Sequence, residues 1–286
     1  MDSKDHWEGI ATDYVGALDH SYHQHRLAVI RALIPDELFA AGRQIFDFGC
    51  GDAVHFRAFL DAGAHIEGVD ISERMIEQAR QRLRDLRRDV DLARVGGVDA
   101  LHAVPAASLD AVLSFNVLAY LTQAEEKTFY EQSARVLKVG GYLLVTHSNE
   151  LFDMFSLNRY TVEFFQRYLA SEPYCKSALK ELLAKADVPE EAVTYNVREN
   201  PLSYRHKLAR YGFKETRQEF INFHRAPPLA LEQALIRGVV YQKNSSKWHL
   251  LNQKEYPDTL GWPEEERWKL MFSCSTFGSC AIKGSR

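Results

Sequence analysis

The sequence has few cysteines, no excess of positive charge and no long apolar run, and each shortage narrows what the chain can do. Its four cysteines stand apart at Cys50, Cys175, Cys274 and Cys280, without CxxC spacing or nearby paired histidines. That scatter supports neither a zinc site nor a disulfide framework. The cluster His20, His23, His25 lacks an HExxH order and has no carboxylates at ligand spacing, so no metal is expected. Lys and Arg number 35 against 39 Asp and Glu, a net charge of −4, whereas nucleic-acid binders carry a basic face. The arginines at 80, 82, 84, 87 and 88 are interleaved with Glu77, Asp85 and Asp89 and read as a solvated helix face. No apolar stretch reaches the 18 or so residues a membrane span needs, and MDSKDHWEGI has no apolar signal core. Neither nucleic acid nor membrane is therefore an expected partner, and cytoplasmic residence is the default.

What is present reads as an ordinary globular chain: 286 residues, 46% hydrophobic and 26% charged, enough to bury a substantial core. From residue 44 to 147 short apolar runs alternate with helical spacing. "QIFDFG", "HIEGVD", "VDLARV", "LDAVLSFN" and "GYLLVTHS" predict strands. "AVHFRAFLDAG", "SERMIEQARQRLRDL" with Ser72 as N-cap, and "QAEEKTFYEQSARVLK" closed by Gly140-Gly141 predict helices. Such alternation predicts an α/β fold, a doubly wound and mostly parallel sheet. Past residue 150 the texture changes to aromatic-rich helix, then a strand after Gly212, an irregular stretch and a final apolar strand in "MFSCSTFGSCAIKGS". The expected organisation is N-terminal lid helices over 1–43, the sheet core over 44–147 and an inserted, mainly helical cap over 148–200. The rest of the sheet follows over 201–286, itself interrupted by a lid insertion at 224–268.

One stretch carries the chemistry: "IFDFGCGDAVHF", residues 45–56. A glycine turn directly after a first strand lets the backbone approach a ligand closely. A dinucleotide fingerprint needs Gly-x-Gly-x-x-Gly, and Val54 stands where the third glycine should be. Asp47 at the strand end would repel a pyrophosphate by several kcal/mol where solvation is poor. An acid there suits a nucleoside that carries a sulfonium or an ammonium.

Asp47-Phe48-Gly49-Cys50-Gly51-Asp52-Ala53 resembles the first motif of class I S-adenosylmethionine-dependent methyltransferases, Asp/Glu-x-Gly-x-Gly-x-Gly, with Ala53 in place of the third glycine. Four more features follow in the family's order: Asp70 ending "GVD", Asp99 in "GGVDAL", "SFNVLAYL", and "RVLKVGGYLLV" with Val139 in place of proline. The resemblance implies a Rossmann-like seven-stranded sheet and S-adenosylmethionine as cofactor, with S-adenosylhomocysteine as product. It further implies that Asp70 serves the ribose hydroxyls and that its neighbour Ile71 belongs to the cofactor site. Asp99 would take the adenine amino group and Ala100 would lend its backbone N–H to the ring. Phe115 and Asn116 follow the fourth strand beside the cofactor. The lead-in "HWEGIATDYVGALDHSYHQHR" resembles the Trp-x-x-x-Ala-x-x-Tyr segment that forms a lid in small-molecule members. Tyr14 takes the lid tyrosine's place near the cofactor, and Trp7 is read as packing.

On the acceptor side, methyl transfer from an activated donor needs positioning first and a base only for some acceptors. Asn116 would orient an acceptor, although an asparagine there also serves as an ordinary loop or cap amide. His147, ending "GYLLVTH", is the candidate base by side-chain type, against the plainer reading of a structural histidine. His224 after a later strand is a weaker candidate of the same kind. Tyr22, Arg26, Tyr120, His147, Phe152 and Tyr160 are the expected acceptor contacts, though helical spacing makes plain core packing a rival for the aromatics. The expected activity is methylation of a small metabolite at oxygen or nitrogen. "SNELFDMFSLNRYTVEFF" and "NPLSYRHKLARYGF" loosely resemble members of sugar and secondary-metabolite pathways. RNA or protein methylation, a SAM-binding enzyme that transfers no methyl, and a scaffold on the same fold are the alternatives. The sequence leaves oligomeric state open, a homodimer included.

Overall fold

The computed structural model describes residues 3–16, 21–153, 197–223 and 258–285. Most of the expected cap, and the expected lid insertion up to residue 257, lie outside them. Seven strands form one sheet: β1 (Gln44–Phe48), β2 (His65–Asp70), β3 (Ala93–Val95), β4 (Leu109–Ser114), β5 (Leu137–Ser148), β6 (Phe213–Phe223) and β7 (Cys274–Lys283). Their order is β3-β2-β1-β4-β5-β7-β6. Pairing is parallel from β3 to β5, and β7 runs antiparallel between β5 and β6. This is the mostly parallel, doubly wound sheet that the strand–helix alternation predicts.

The central strands read as continuous apolar runs because both their faces are covered. Alternate side chains enter two separate cores. Ile45, Ala111, Leu113 and Leu144 pack with Val29, Ile30 and Leu33 of α2 (Ser21–Leu33), and with Phe56 and Phe59 of α3 (Phe56–Asp61). Phe46, Val112, Leu143 and Val145 pack on the other side, against Phe129 and Tyr130 of α5 (Gln123–Val136) and Tyr204 and Leu208 of α7 (Tyr204–Arg210). Two further helices frame the ligand edge, α1 (Ser3–Gly16) and α4 (Glu73–Asp85). No helix among the described residues is long and apolar enough to cross a membrane.

Local signals explain the helix ends. The Ser72 hydroxyl accepts from the Met75 N–H at 3.1 Å, which starts α4 where the N-cap reading placed it. Thr122 and Glu125 form a reciprocal capping box at the start of α5. The end of α5 differs from expectation. The helix stops at Val136, and Gly140-Gly141 lies inside β5. Gly140 takes φ +80°, and a Cβ on Gly141 would stand 2.9 Å from the Lys138 carbonyl oxygen. The pair turns the strand rather than capping the helix.

Candidate functional site

Strand order reverses between β1 and β4, and a cleft opens beyond their carboxyl ends, the position where open α/β sheets bind ligands. The cleft encloses about 290 Å³. Its floor is the turn after β1, its sides are the ends of β2, β3 and β4, and its roof comes from α1.

The turn is built for close approach. Gly49 sits at φ +76°, and a Cβ there would fall 2.0 Å from Val117 Cγ2, so only glycine fits beneath that wall. Ala53 also takes a left-handed φ of 57°, which explains the family's preference for glycine at this place and why small alanine serves instead. The amide N–H groups of Gly49 and Cys50 donate to the Val69 carbonyl, and that of Gly51 donates to Asp70 Oδ2 at 3.0 Å. These three amides are engaged within the protein and are not free to cradle a pyrophosphate.

Two acids set the electrostatics. Asp70 lines the cleft, with Oδ1 accepting from the Ser72 N–H at 2.9 Å and Oδ2 from Gly51. Burial lifts its carboxyl above the usual range despite these two hydrogen bonds. Asp47 lies buried under the turn, and its Oδ2 has no hydrogen-bond partner. Burial, with the Asp70 charge adding to it, pushes its pKa up to about 8. Asp47 is not part of the cleft lining, so of the two acids Asp70 is the one a ligand meets directly. A carboxylate there suits hydroxyls or a positive charge better than a pyrophosphate.

Of the residues the sequence singles out, Tyr14, Gly49, Gly51, Asp70, Ile71, Phe115, Asn116 and Tyr120 line this cleft together. Asn116 takes φ 61°, its N–H donates to Thr146 Oγ1 at 2.8 Å, and its Oδ1 accepts from the same hydroxyl at 3.3 Å. Cys50 is buried in the core, its thiol pushed well up by that burial. Arg26 is buried behind the roof and donates to the Tyr14 hydroxyl.

Several expectations need correction. The Asp99 side chain is exposed and pairs with His102 at 3.5 Å, while Gly97 and Val98 from the same segment face the cleft. The Ala100 N–H donates to the Gly97 carbonyl, which closes a short turn of 3₁₀ helix. His147 is in phase with Leu143 and Val145, so strand alternation sends it to the α7 side of the sheet. There its ring meets Tyr204 at 4.4 Å and Phe277 at 5.3 Å, and burial holds its pKa well below the usual 6.5, with the Lys207 charge adding to this. Phe152 is buried in α6 (Glu150–Asp153), away from the cleft lining. Tyr160 and His224 lie outside the described residues, as does the side chain of Tyr22.

The sequence reading also missed Trp7, which is part of the cleft wall rather than mere packing. Its ring meets Tyr14 at 5.4 Å and Tyr120 at 5.3 Å, both edge to face. The seven-residue spacing of Trp7 and Tyr14 puts both on one helix face, a signal present in the sequence. His55, half-buried against the Phe115 ring, went unremarked too; burial, then Arg26 and Arg82, push its pKa down to about 3.

Comparisons with known proteins agree with this geometry. Residues 45–141 match a family described as a methyltransferase domain. A ubiquinone biosynthesis O-methyltransferase of Thiobacillus denitrificans is 25% identical over 174 residues, covering 59% of this chain and 73% of that protein. A demethylmenaquinone methyltransferase of Tropheryma whipplei is 27% identical over 199 residues, covering 68% of this chain and 75% of that one. Among solved structures, magnesium protoporphyrin IX methyltransferase of Synechocystis with bound S-adenosylhomocysteine superposes with a TM-score of 0.56 at 14% identity, over 98% of this chain and 97% of that one, a likeness of fold. In its sheet order and its glycine turn between two acids the chain is similar to class I S-adenosylmethionine-dependent methyltransferases, and its residues 45–141 match their methyltransferase domain.

Proposed function

We propose that this enzyme transfers a methyl group from S-adenosylmethionine to an oxygen or nitrogen of a small metabolite, by in-line displacement. The observation that carries the small-molecule reading is the aromatic roof. Trp7 meets Tyr14 and Tyr120 edge to face in the lining of the cleft, an aromatic wall that favours a small acceptor over a polymer. The curated relatives named for ubiquinone biosynthesis and for demethylmenaquinone support a metabolite acceptor.

When bound, the cofactor supplies a methyl group already activated on a sulfonium sulfur. Asp70 would hold the ribose hydroxyls, since each of its oxygens is fixed by one backbone N–H and keeps a lone pair for a hydroxyl. Asn116 would orient the acceptor: its Oδ1 is held by Thr146, which directs the amide NH₂ elsewhere. Trp7, Tyr14 and Tyr120 would keep water out. Positioning of this kind supplies up to ~7–11 kcal/mol of a displacement barrier. A hydroxyl acceptor also needs a base, while an amine needs only to arrive neutral. No step is assigned to His147, which packs on the far side of the sheet.

Two measurements test the reading. Calorimetric titration with S-adenosylhomocysteine should show binding that Asp70→Ala weakens about tenfold or more, about 1.4 kcal/mol. Incubation of a metabolite extract with methyl-labelled S-adenosylmethionine should leave label in an O–CH₃ or N–CH₃ small molecule. Label in RNA or protein, or cofactor consumed without S-adenosylhomocysteine, overturns it.

A further inference from the structure

We infer that Glu8 is a positioning residue that latches α1 over the cofactor cleft, and that undoing this latch paces cofactor release. The inference rests on the cofactor reading above. The first turn of any helix has backbone N–H groups with no partner inside the helix. In α4, Ser72 Oγ accepts from Met75. The Glu73 and Arg74 amides are instead served from α1: Glu8 Oε1 accepts from the Glu73 N–H at 2.5 Å and Oε2 from the Arg74 N–H at 3.3 Å. The Arg74 guanidinium answers in the other direction, donating to the Glu8 backbone carbonyl at 2.9 Å. A carboxylate at a helix N-terminus also interacts favourably with the helix dipole. The neighbouring Lys4–Glu73 pair at 3.2 Å is exposed, and pairs of that kind are worth little.

Two features tie this contact to the cofactor. Trp7 is the residue next to Glu8, and its ring reaches Tyr120 on the far side of the cleft. It spans the cleft only while α1 is docked. The turn that Glu8 caps is also the one Asp70 organises, because Asp70 Oδ1 accepts from the Ser72 N–H at 2.9 Å. Four successive amides, Ser72 to Met75, are thus divided among the proposed ribose acid, the lid and the N-cap. A nucleoside drawn to Asp70 and a lid closing above it act on one rigid turn.

The test is stopped-flow measurement of S-adenosylhomocysteine association and dissociation, followed by tryptophan fluorescence on the full chain. Glu8→Ala should raise the dissociation rate about tenfold, the equivalent of about 1.4 kcal/mol, with a much smaller change in association. Glu8→Gln, which keeps one carbonyl acceptor, should fall between, and Lys4→Ala should match wild type. Arg74→Ala weakens the same contact from the α4 side and should act in the same direction, so the inference stays testable if Glu8→Ala folds poorly. Wild-type dissociation rates in folded Glu8→Ala overturn the latch alone. Failure of the wild-type protein to bind S-adenosylhomocysteine overturns the cofactor reading, and the latch with it.

Discussion

Asp47→Asn should change how the stability of the ligand-free protein depends on pH. Asp47 is 1% exposed, its Oδ2 has no partner, and its pKa rises from the usual 3.8 to about 8. In the unfolded chain the carboxyl ionises near 3.8, whereas in the fold it keeps its proton to about 8. Folding therefore takes up a proton at any pH between, and stability falls as pH rises through this window. The stabilising contribution is complete below the unfolded value and gone above the folded one. Each pH unit is worth about 1.4 kcal/mol per proton, so the whole window spans up to about 5–6 kcal/mol. At ~2–4 °C of melting temperature per kcal/mol for chains of roughly this size, the roughly 4 kcal/mol between pH 5 and 8 should lower the melting temperature by about 8–16 °C through this group. Asparagine has the same shape and no proton to exchange. Other groups with raised values, among them Glu199 at about 7, titrate in both proteins, so the difference between the two melting curves isolates Asp47. The neighbouring Asp70 charge adds to the burial that raises Asp47. A constant offset between the proteins reports how well the new amide is accommodated; only the change of offset with pH reports the titration. Parallel curves from pH 5 to 8.5 would refute the reasoning.

Two further outcomes follow from packing. Gly49→Ala forces a Cβ to 2.0 Å from Val117 Cγ2 at φ +76°, so overpacking of ~1–3 kcal/mol adds to ~1–2 kcal/mol for the left-handed backbone. Urea unfolding should show the sum. Adding Val117→Ala should recover the overpacking part only, and no recovery at all would disprove the clash. His147→Ala should cost about 2 kcal/mol or more, as core truncations do, and leave S-adenosylhomocysteine affinity near wild type; a tenfold weakening would return His147 to the cofactor site. Because burial holds the His147 pKa below 6.5, wild-type stability should fall as pH drops below that value, and the variant should lose part of this acid sensitivity.

The sheet and the floor of the cleft were legible because their signals are local. Gly49, Gly51 and Asp70 follow or end strands of the parallel sheet and line the cleft, while Asp47, also near a strand end, lies buried beneath the turn. The left-handed φ at Ala53 shows why a family pattern can tolerate alanine there, a fact of backbone geometry that composition does not display. Asp99 shows the limit of carrying a role by motif. Its segment reaches the cleft through Gly97 and Val98, while its carboxylate turns outward to His102. A short 3₁₀ turn rotates each successive residue by about 120°, so an error of one position reverses inside and outside.

His147 was misplaced for a related reason, and β5 makes it concrete. Thr146 and His147 are adjacent at the end of one strand, so one of them had to face Asn116 and the other had to face away. Chemistry favoured the histidine as the residue with a use, but parity was already set. Leu143 and Val145 are buried with α5 and α7, and His147 shares their face, whereas Leu144 and Thr146 share the other. Which face meets which layer depends on Tyr204 and Phe277, residues remote in sequence whose rings take up the imidazole. A sequence reading can see the alternation and still not know its sign. The sign comes from long-range packing, and here it gives the cleft a threonine that steadies Asn116 in place of a histidine.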